Sequence, residues 1–129
     1  MNYANQDLRG KDFSGQDLKG SSFAESDIRG ANFTDCNLEG ADFSWVFGAK
    51  ATFTRANLKG AKLRRAILSE ADCSRANFDD ADLSAVNLIK ARLDGASFKG
   101  ADVTGADFAG VDLSKVDWKW TDTSKAHFS

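Results

Sequence analysis

The sequence predicts an all-β solenoid built from square coils of 20 residues, and three observations carry that prediction. Taking every fifth position from Tyr3 to Phe128, 24 of 26 residues are apolar, and only Gly48 and Thr123 depart. Two places earlier stands a small residue, usually alanine, as at Ala31, Ala41, Ala51, Ala56, Ala61 and Ala106; the place between is Asp or Asn in 18 of the 26 units. No insertion shifts this register anywhere in the 129 residues. A period of five with two inward places matches neither the 3.6 of an amphipathic helix nor the 2.0 of a simple strand. It needs a backbone that turns once per unit. Four turns at right angles close a square, and successive squares then stack at about the interstrand spacing of 4.8 Å.

Each unit has five places. The first holds the small inward residue, the second Asp or Asn, the third the large inward residue, and the fourth and fifth form the corner. Glycine at the fifth place, as at Gly10 and Gly60, supplies a turn of unusual dihedrals. Units such as Ala56-Asn57-Leu58-Lys59-Gly60 and Ala81-Asp82-Leu83 resemble the A(D/N)LXX consensus of the pentapeptide-repeat family, and the resemblance covers essentially the whole chain. It implies that family's fold, a right-handed quadrilateral parallel β-helix, here one domain over residues 1–129 with about six coils. At about 4.8 Å per coil the rod is roughly 30 Å long. Small members without added elements abound in cyanobacteria, which the resemblance implies as a source.

Residues 20 apart should overlie one another. One interior column is then Phe13, Phe33, Phe53, Cys73, Leu93 and Leu113, and another is Leu18, Leu38, Leu58, Phe78, Phe98 and Trp118. A solenoid with no other core depends on such stacks. Cys36 takes a small inward place and Cys73 a large one two coils away. Their spacing exceeds the disulfide reach of about 7 Å, so two buried, inert thiols are expected. At the start of the chain Gln6, Lys11 and Gln16 occupy first places that alanine takes later, which suits a terminal coil covered by long polar side chains. At the other end Trp118 should lid the last stack. An uncovered coil exposes unpaired backbone groups, so Trp118, Trp120 and Phe128 are candidate contacts for an end-to-end homodimer, the alternative being a monomer.

Composition narrows the function classes. A net charge of -2 argues against a general polyanion binder. No apolar run approaches the length needed to span a bilayer, and Met1–Gln6 lacks the basic and apolar regions of a secretory signal, so a cytoplasmic location is expected. Lys50, Arg55, Lys59, Lys62, Arg64 and Arg65 crowd a stretch with no acid between Asp42 and Glu70. Folded, they form a belt around one coil rather than a nucleic-acid patch. Asp42 and Asp82 flank Lys62, Glu39 and Asp79 flank Lys59, and Glu70 lies over Lys50, so ladders of opposite charge are expected between coils. Arg64 and Arg65 lack such neighbours, and Arg65 sits over Trp45 in position for a cation–π pair. Neither nucleic acid nor a membrane is an expected partner.

Catalysis finds no support. His127 is the only histidine, so no Ser–His or Cys–His pair can be assembled in the body of the rod. No glycine-rich phosphate loop or clustered metal ligands appear, and no cofactor is expected. Asp82, Asp102 and Asp122 form a like-charged column that could attract a cation, but the same residue recurs at the second place throughout, where it can hydrogen-bond the turn backbone. The Asn32-Phe33-Thr34 sequon is a by-product of the repeat.

The irregular unit is Val46-Phe47-Gly48, where glycine stands at the large inward place and phenylalanine one place early. Either the backbone bulges and Phe47 swings inward to fill the hole, or Phe47 stays outside. If outside, Trp45, Phe47, Ile67 and Ile89, with Arg65, form one exposed apolar patch and the candidate protein-interaction site. The expected function is a non-catalytic structural or interaction module with an unidentified protein partner. The alternative comes from the resemblance: some family members mimic duplex DNA and bind type II topoisomerases such as gyrase. That needs an acidic rod, and here the four faces sum to about -1, 0, 0 and -1.

Overall fold

A computed structural model describes all of residues 1–129. The backbone is a continuous right-handed quadrilateral β-helix whose coils pair in parallel register, each second-place residue up to Asn87 bridging the one 20 positions on: Asn2 to Ser22, Ser22 to Asp42, Asp42 to Lys62 and Lys62 to Asp82. Third-place N–H groups donate upward to second-place carbonyls, as Leu38 N does to Asn57 O at 2.7 Å. Second-place N–H groups donate downward to first-place carbonyls, as Asn57 N does to Cys36 O at 2.9 Å. At each corner a first-place N–H closes a turn onto the third-place carbonyl before it, for example Ala61 N to Leu58 O at 3.0 Å. Up to Gly110 the fifth residue of these turns has positive φ, including Trp45 at 61°, so glycine is favoured there but not required.

The Asp and Asn residues of the second place have one job in common. In all 18 units that carry one, its Oδ1 accepts the N–H of the residue two places on, for example Ser44 N to Asp42 at 2.9 Å and Ile89 N to Asn87 at 3.0 Å. This is an Asx turn repeated around the coil, and it satisfies a donor that the ladder leaves over. Asp82, Asp102 and Asp122 are occupied in the same way, by Ser84, Thr104 and Ser124.

The interior is a pair of aromatic ladders. Tyr3, Phe23 and Phe43 stack 4.8–4.9 Å apart on one face and Phe13, Phe33 and Phe53 stack 5.0 Å apart on the opposite face. Across the interior the two ladders meet edge to face, Phe33 and Phe43 at 5.4 Å. In the upper coils the ladder moves to the other pair of faces, Phe78–Phe98–Trp118 and Phe108–Phe128. Cys36 and Cys73 are buried, free thiols whose pKa values are pushed up by burial, as expected of inert residues.

Two expectations need correction. The ladders of opposite charge are in backbone register, but between coils only Arg55 binds an acid closely, Asp35 at 2.8 and 3.1 Å, with Arg9 reaching Asp27 at 3.8 Å. Lys50, Lys59, Lys62, Arg64 and Arg65 have no carboxylate within 4.0 Å. Asp42 and Asp82 are held by their Asx turns on Ser44 and Ser84, and Asp79 accepts Ser97 Oγ and Lys99 N–H, so none of these carboxylates turns to a lysine side chain. Nor does Gly48 leave a hole. A Cβ there would lie 2.6 Å from Leu68 Cδ2 and 3.2 Å from Ile28 Cδ1, because the side chains above and below lean into its place. Gly48→Leu, the residue the period calls for, should therefore cost about 1–3 kcal/mol through overpacking, against about 3–5 kcal/mol for Phe53→Ala; urea denaturation of both checks this.

Acid should also loosen the rod. The Arg9 guanidinium holds the Asp7 pKa at about 2, and Arg29 and Arg55 lower those of Asp27 and Asp35. The hydroxyls and then the N–H groups of Ser14, Ser114 and Ser124 lower Asp12, Asp112 and Asp122. All these folded-state values lie below the unfolded ones, so the stability they contribute is complete above about pH 5 and is lost as pH falls through about 4 towards 2. Melting followed by circular dichroism should show a level Tm from about pH 8 to 5 and a falling one below.

Candidate protein-interaction site

Phe47 stays outside. It keeps both backbone bridges of a regular second place, to Asp27 below and Ile67 above, so no bulge turns it inward. Its side chain is 53% exposed, Trp45 at the preceding corner 53% and Ile67 36%. Arg65 lies over the Trp45 ring at 5.1 Å. Phe47, Gly48, Ala49 and Ile67 line a shallow groove of about 370 Å³ closed on its lower side by Asp27 and Arg29. These two form a bidentate pair at 2.6 and 2.9 Å, and the Arg29 guanidinium lowers the Asp27 pKa. Ile89 is half-buried and does not line the groove.

The groove has a second property that periodicity alone does not reveal. With Phe47 and Ile67 in place of Asp or Asn, the N–H groups of Ala49 and Ser69 lose their Asx acceptor. Over residues 4–124 the fourth-place N–H lacks an acceptor only at Ala49, Thr54, Arg64, Ser69 and Asp94. Four of these five fall in the acid-free stretch between Asp42 and Glu70. The signal is present in the sequence as the loss of Asp or Asn at successive second places, but its meaning requires the Asx turn to be seen. Arg29 gives no such signal, because its unit is regular.

The two ends differ. At the base Leu8, Phe13 and Leu18 are at most 6% exposed, with the long side chains of Gln6, Lys11 and Gln16 around them. At the top Leu113, Trp118 and Phe128 are only half-buried, although Trp118 stacks on Phe98 at 4.9 Å and Phe128 on Phe108 at 5.4 Å. Trp120 is 71% exposed. The last coil is also less regular: Leu113–Lys115 form a 3-10 turn, and Asp112 and Asp122 make no bridge to the coil below. No three His, Cys, Asp or Glu side chains are placed to hold a metal, and no helix is long and apolar enough to cross a membrane.

These features define a β-solenoid whose distinguishing surface is a patch rather than a cleft. The family profile for pentapeptide repeats (8 copies) matches residues 7–44, 28–69, 49–84 and 76–114. The chain belongs to the pentapeptide-repeat family. Among solved structures it is similar to trypsin-treated QnrB1, a plasmid-mediated fluoroquinolone resistance protein, with 27% identity and a TM-score of 0.52 over 98% of this chain. The chain spans 64% of that protein's length. Rfr23 from the cyanobacterium Cyanothece is 22% identical over 84% of this chain and 64% of its own, with a TM-score of 0.49. A pentapeptide repeat protein from the Arabidopsis thaliana thylakoid lumen is 43% identical over 86% of this chain and 70% of its own, with a TM-score of 0.26. No curated protein sequence matches the chain.

Phe47→Asn restores the usual second-place residue. The hydrogen bond it regains, about 1 kcal/mol, offsets the half-burial lost, so stability should stay within about 1 kcal/mol of the native chain. Amide exchange at Ala49 should slow in the variant, as measured by NMR.

Proposed function

We propose that the protein is a non-catalytic interaction module whose partner docks on the patch formed by Trp45, Phe47, Ile67 and Arg65. One observation carries this: at two stacked second places the chain gives up an Asx turn and exposes a large apolar side chain, with no interior gain in return. Local departures of that kind, uncompensated by packing, mark binding surfaces. Aromatic and arginine side chains are also the residues that most often dominate interface energetics. The test is affinity capture with the native chain and Phe47→Asp, both verified as folded by circular dichroism. A partner retained by the native chain should be lost with the variant; equal capture by both would overturn the assignment.

The likeness to a fluoroquinolone resistance protein favours a second reading, a duplex-like rod that binds a type II topoisomerase. Against it stands the charge pattern: no face sums below about -1, and a basic storey interrupts the rod at mid-height. A gyrase supercoiling assay separates the two, and no inhibition is expected. The half-buried aromatic end around Trp118, Trp120 and Phe128 offers a separate surface for a second copy. Sedimentation equilibrium of the native chain and of Trp120→Lys tests it, with a dimer weakened by the substitution as the expected result and an unchanged monomer as the contrary one.

A further inference from the structure

The storey that carries the patch is unusual in charge as well as in apolar exposure. Between Asp42 and Glu70 the chain holds six basic residues and no acid. Of these six only Arg55 is paired. Arg65 lies over Trp45, Arg64 and Lys62 lie on the face that leads to that corner, and Lys50 follows the groove at the next one. Glu25 below Trp45 and Glu70 above Lys50 border the area with no basic side chain within 4.0 Å, and Asp27, which closes the groove's lower side, is neutralised by Arg29. The unsatisfied backbone donors lie in the same place: Ala49 N–H in the groove, Ser69 N–H above it, and Arg64 N–H beside the corner.

In 18 other units a carboxylate or amide oxygen of the chain itself accepts the N–H that Ala49 and Ser69 leave without an acceptor, at 2.8–3.2 Å. The surface therefore presents amide donors for which the chain supplies no acceptor, beside an apolar groove with the unpaired Lys62, Arg64 and Arg65 on one side and Lys50 on the other. From this we infer that the partner presents an acidic peptide segment: an apolar side chain seated against Phe47 and Ile67, flanked by carboxylates, one of which takes the place of the missing Asp side chain on Ala49 N–H. This rests on the assignment of the patch as a partner site and adds the chemistry of the partner. Charge complementarity favours it, since unpaired cations around an apolar centre steer and hold a negatively charged partner. Single-stranded nucleic acid also combines negative charge with groups that stack on aromatics, and the exposed Phe47 ring offers such a face. But Ile67 beside it is aliphatic and Arg65 already lies over the Trp45 ring, so the surface lacks the row of aromatic faces along which successive bases stack.

The probes are three labelled peptides, Asp-Asp-Phe-Asp-Asp, its isostere Asn-Asn-Phe-Asn-Asn, and Lys-Lys-Phe-Lys-Lys, together with oligo(dT). Binding is followed by fluorescence anisotropy at two salt concentrations and by amide chemical shifts of the full chain. The acidic peptide should bind at least about tenfold more tightly than the asparagine peptide, weaken with salt, and shift the Ala49 and Ser69 amides. Phe47→Asp, which places the chain's own carboxylate over Ala49, should abolish those shifts, and Arg65→Gln should weaken binding severalfold while leaving the groove intact. Equal binding of the acidic and asparagine peptides, both lost in Phe47→Asp, would overturn the acidic partner and leave the apolar patch standing. Binding of neither peptide, or equal binding by native chain and Phe47→Asp, would remove both. Tighter binding of oligo(dT) or of the lysine peptide than of the acidic peptide would overturn the inference as well, in favour of nucleic acid or a basic partner respectively.

Discussion

The structure depends on one constraint, the parallel register between each residue and the one 20 positions later. Every interior contact, every ladder hydrogen bond and every surface neighbour follows from it. A strand that slipped by one residue would turn its Asx residues inward and its phenylalanines out. The third-place aromatic stacks hold the register from within, and the hydrogen bonds between second- and third-place backbone groups hold it from the wall. The Asx turns then fix the corners. Because each coil is supported mainly by its neighbours, outward side chains can change with little consequence for the rest of the rod.

That separation explains what is legible in the sequence. The phenylalanine columns, the buried thiols and the positive-φ corners follow from periodicity, because inward places see only the repeat. The charge ladders do not follow, because proximity in register says nothing about which way a carboxylate turns: Asp42 and Asp82 lie directly below and above Lys62, yet both face backbone N–H groups. Gly48 misleads for a related reason. One position taken alone implies a vacancy, whereas Leu68 and Ile28 in the same column lean into the space. The location of the patch is legible as an exception to the pattern; its free amide donors are not, since they depend on a hydrogen bond visible only in three dimensions.

The Phe47 unit shows how a site can be placed on such a scaffold at small cost. Replacing an inward residue would disturb two coils, but replacing a second-place Asp or Asn forfeits one local hydrogen bond, about 1 kcal/mol. Doing so at Phe47 and again at Ile67, one coil above, makes the two apolar groups adjacent without any loop or insertion. Trp45 adds a third at a corner whose positive φ an aromatic residue tolerates less well than glycine does. Each of the three departs from what the fold alone favours, and all three meet at one place.

The basic storey bears on the same point. Had its cations been matched by the coils above and below, the charge would be a feature of packing and would carry no information about partners. Asp42 and Asp82 beside Lys62 are instead engaged in Asx turns, Asp79 accepts Ser97 Oγ and Lys99 N–H, and Glu39 and Glu70 lie beyond 4.0 Å from any basic side chain, which leaves the cations uncompensated at short range. An Asx turn does not exclude an ion pair, since Asp7 and Asp27 each accept both the N–H and the guanidinium of Arg9 and Arg29 respectively. What the turn fixes is the direction of the carboxylate, towards the residue two places on rather than towards a lysine stacked 20 positions away. A basic residue stacked over an Asx acid, such as Lys62, therefore stays available to a partner, whereas Arg9 and Arg29, two places after such an acid, are paired.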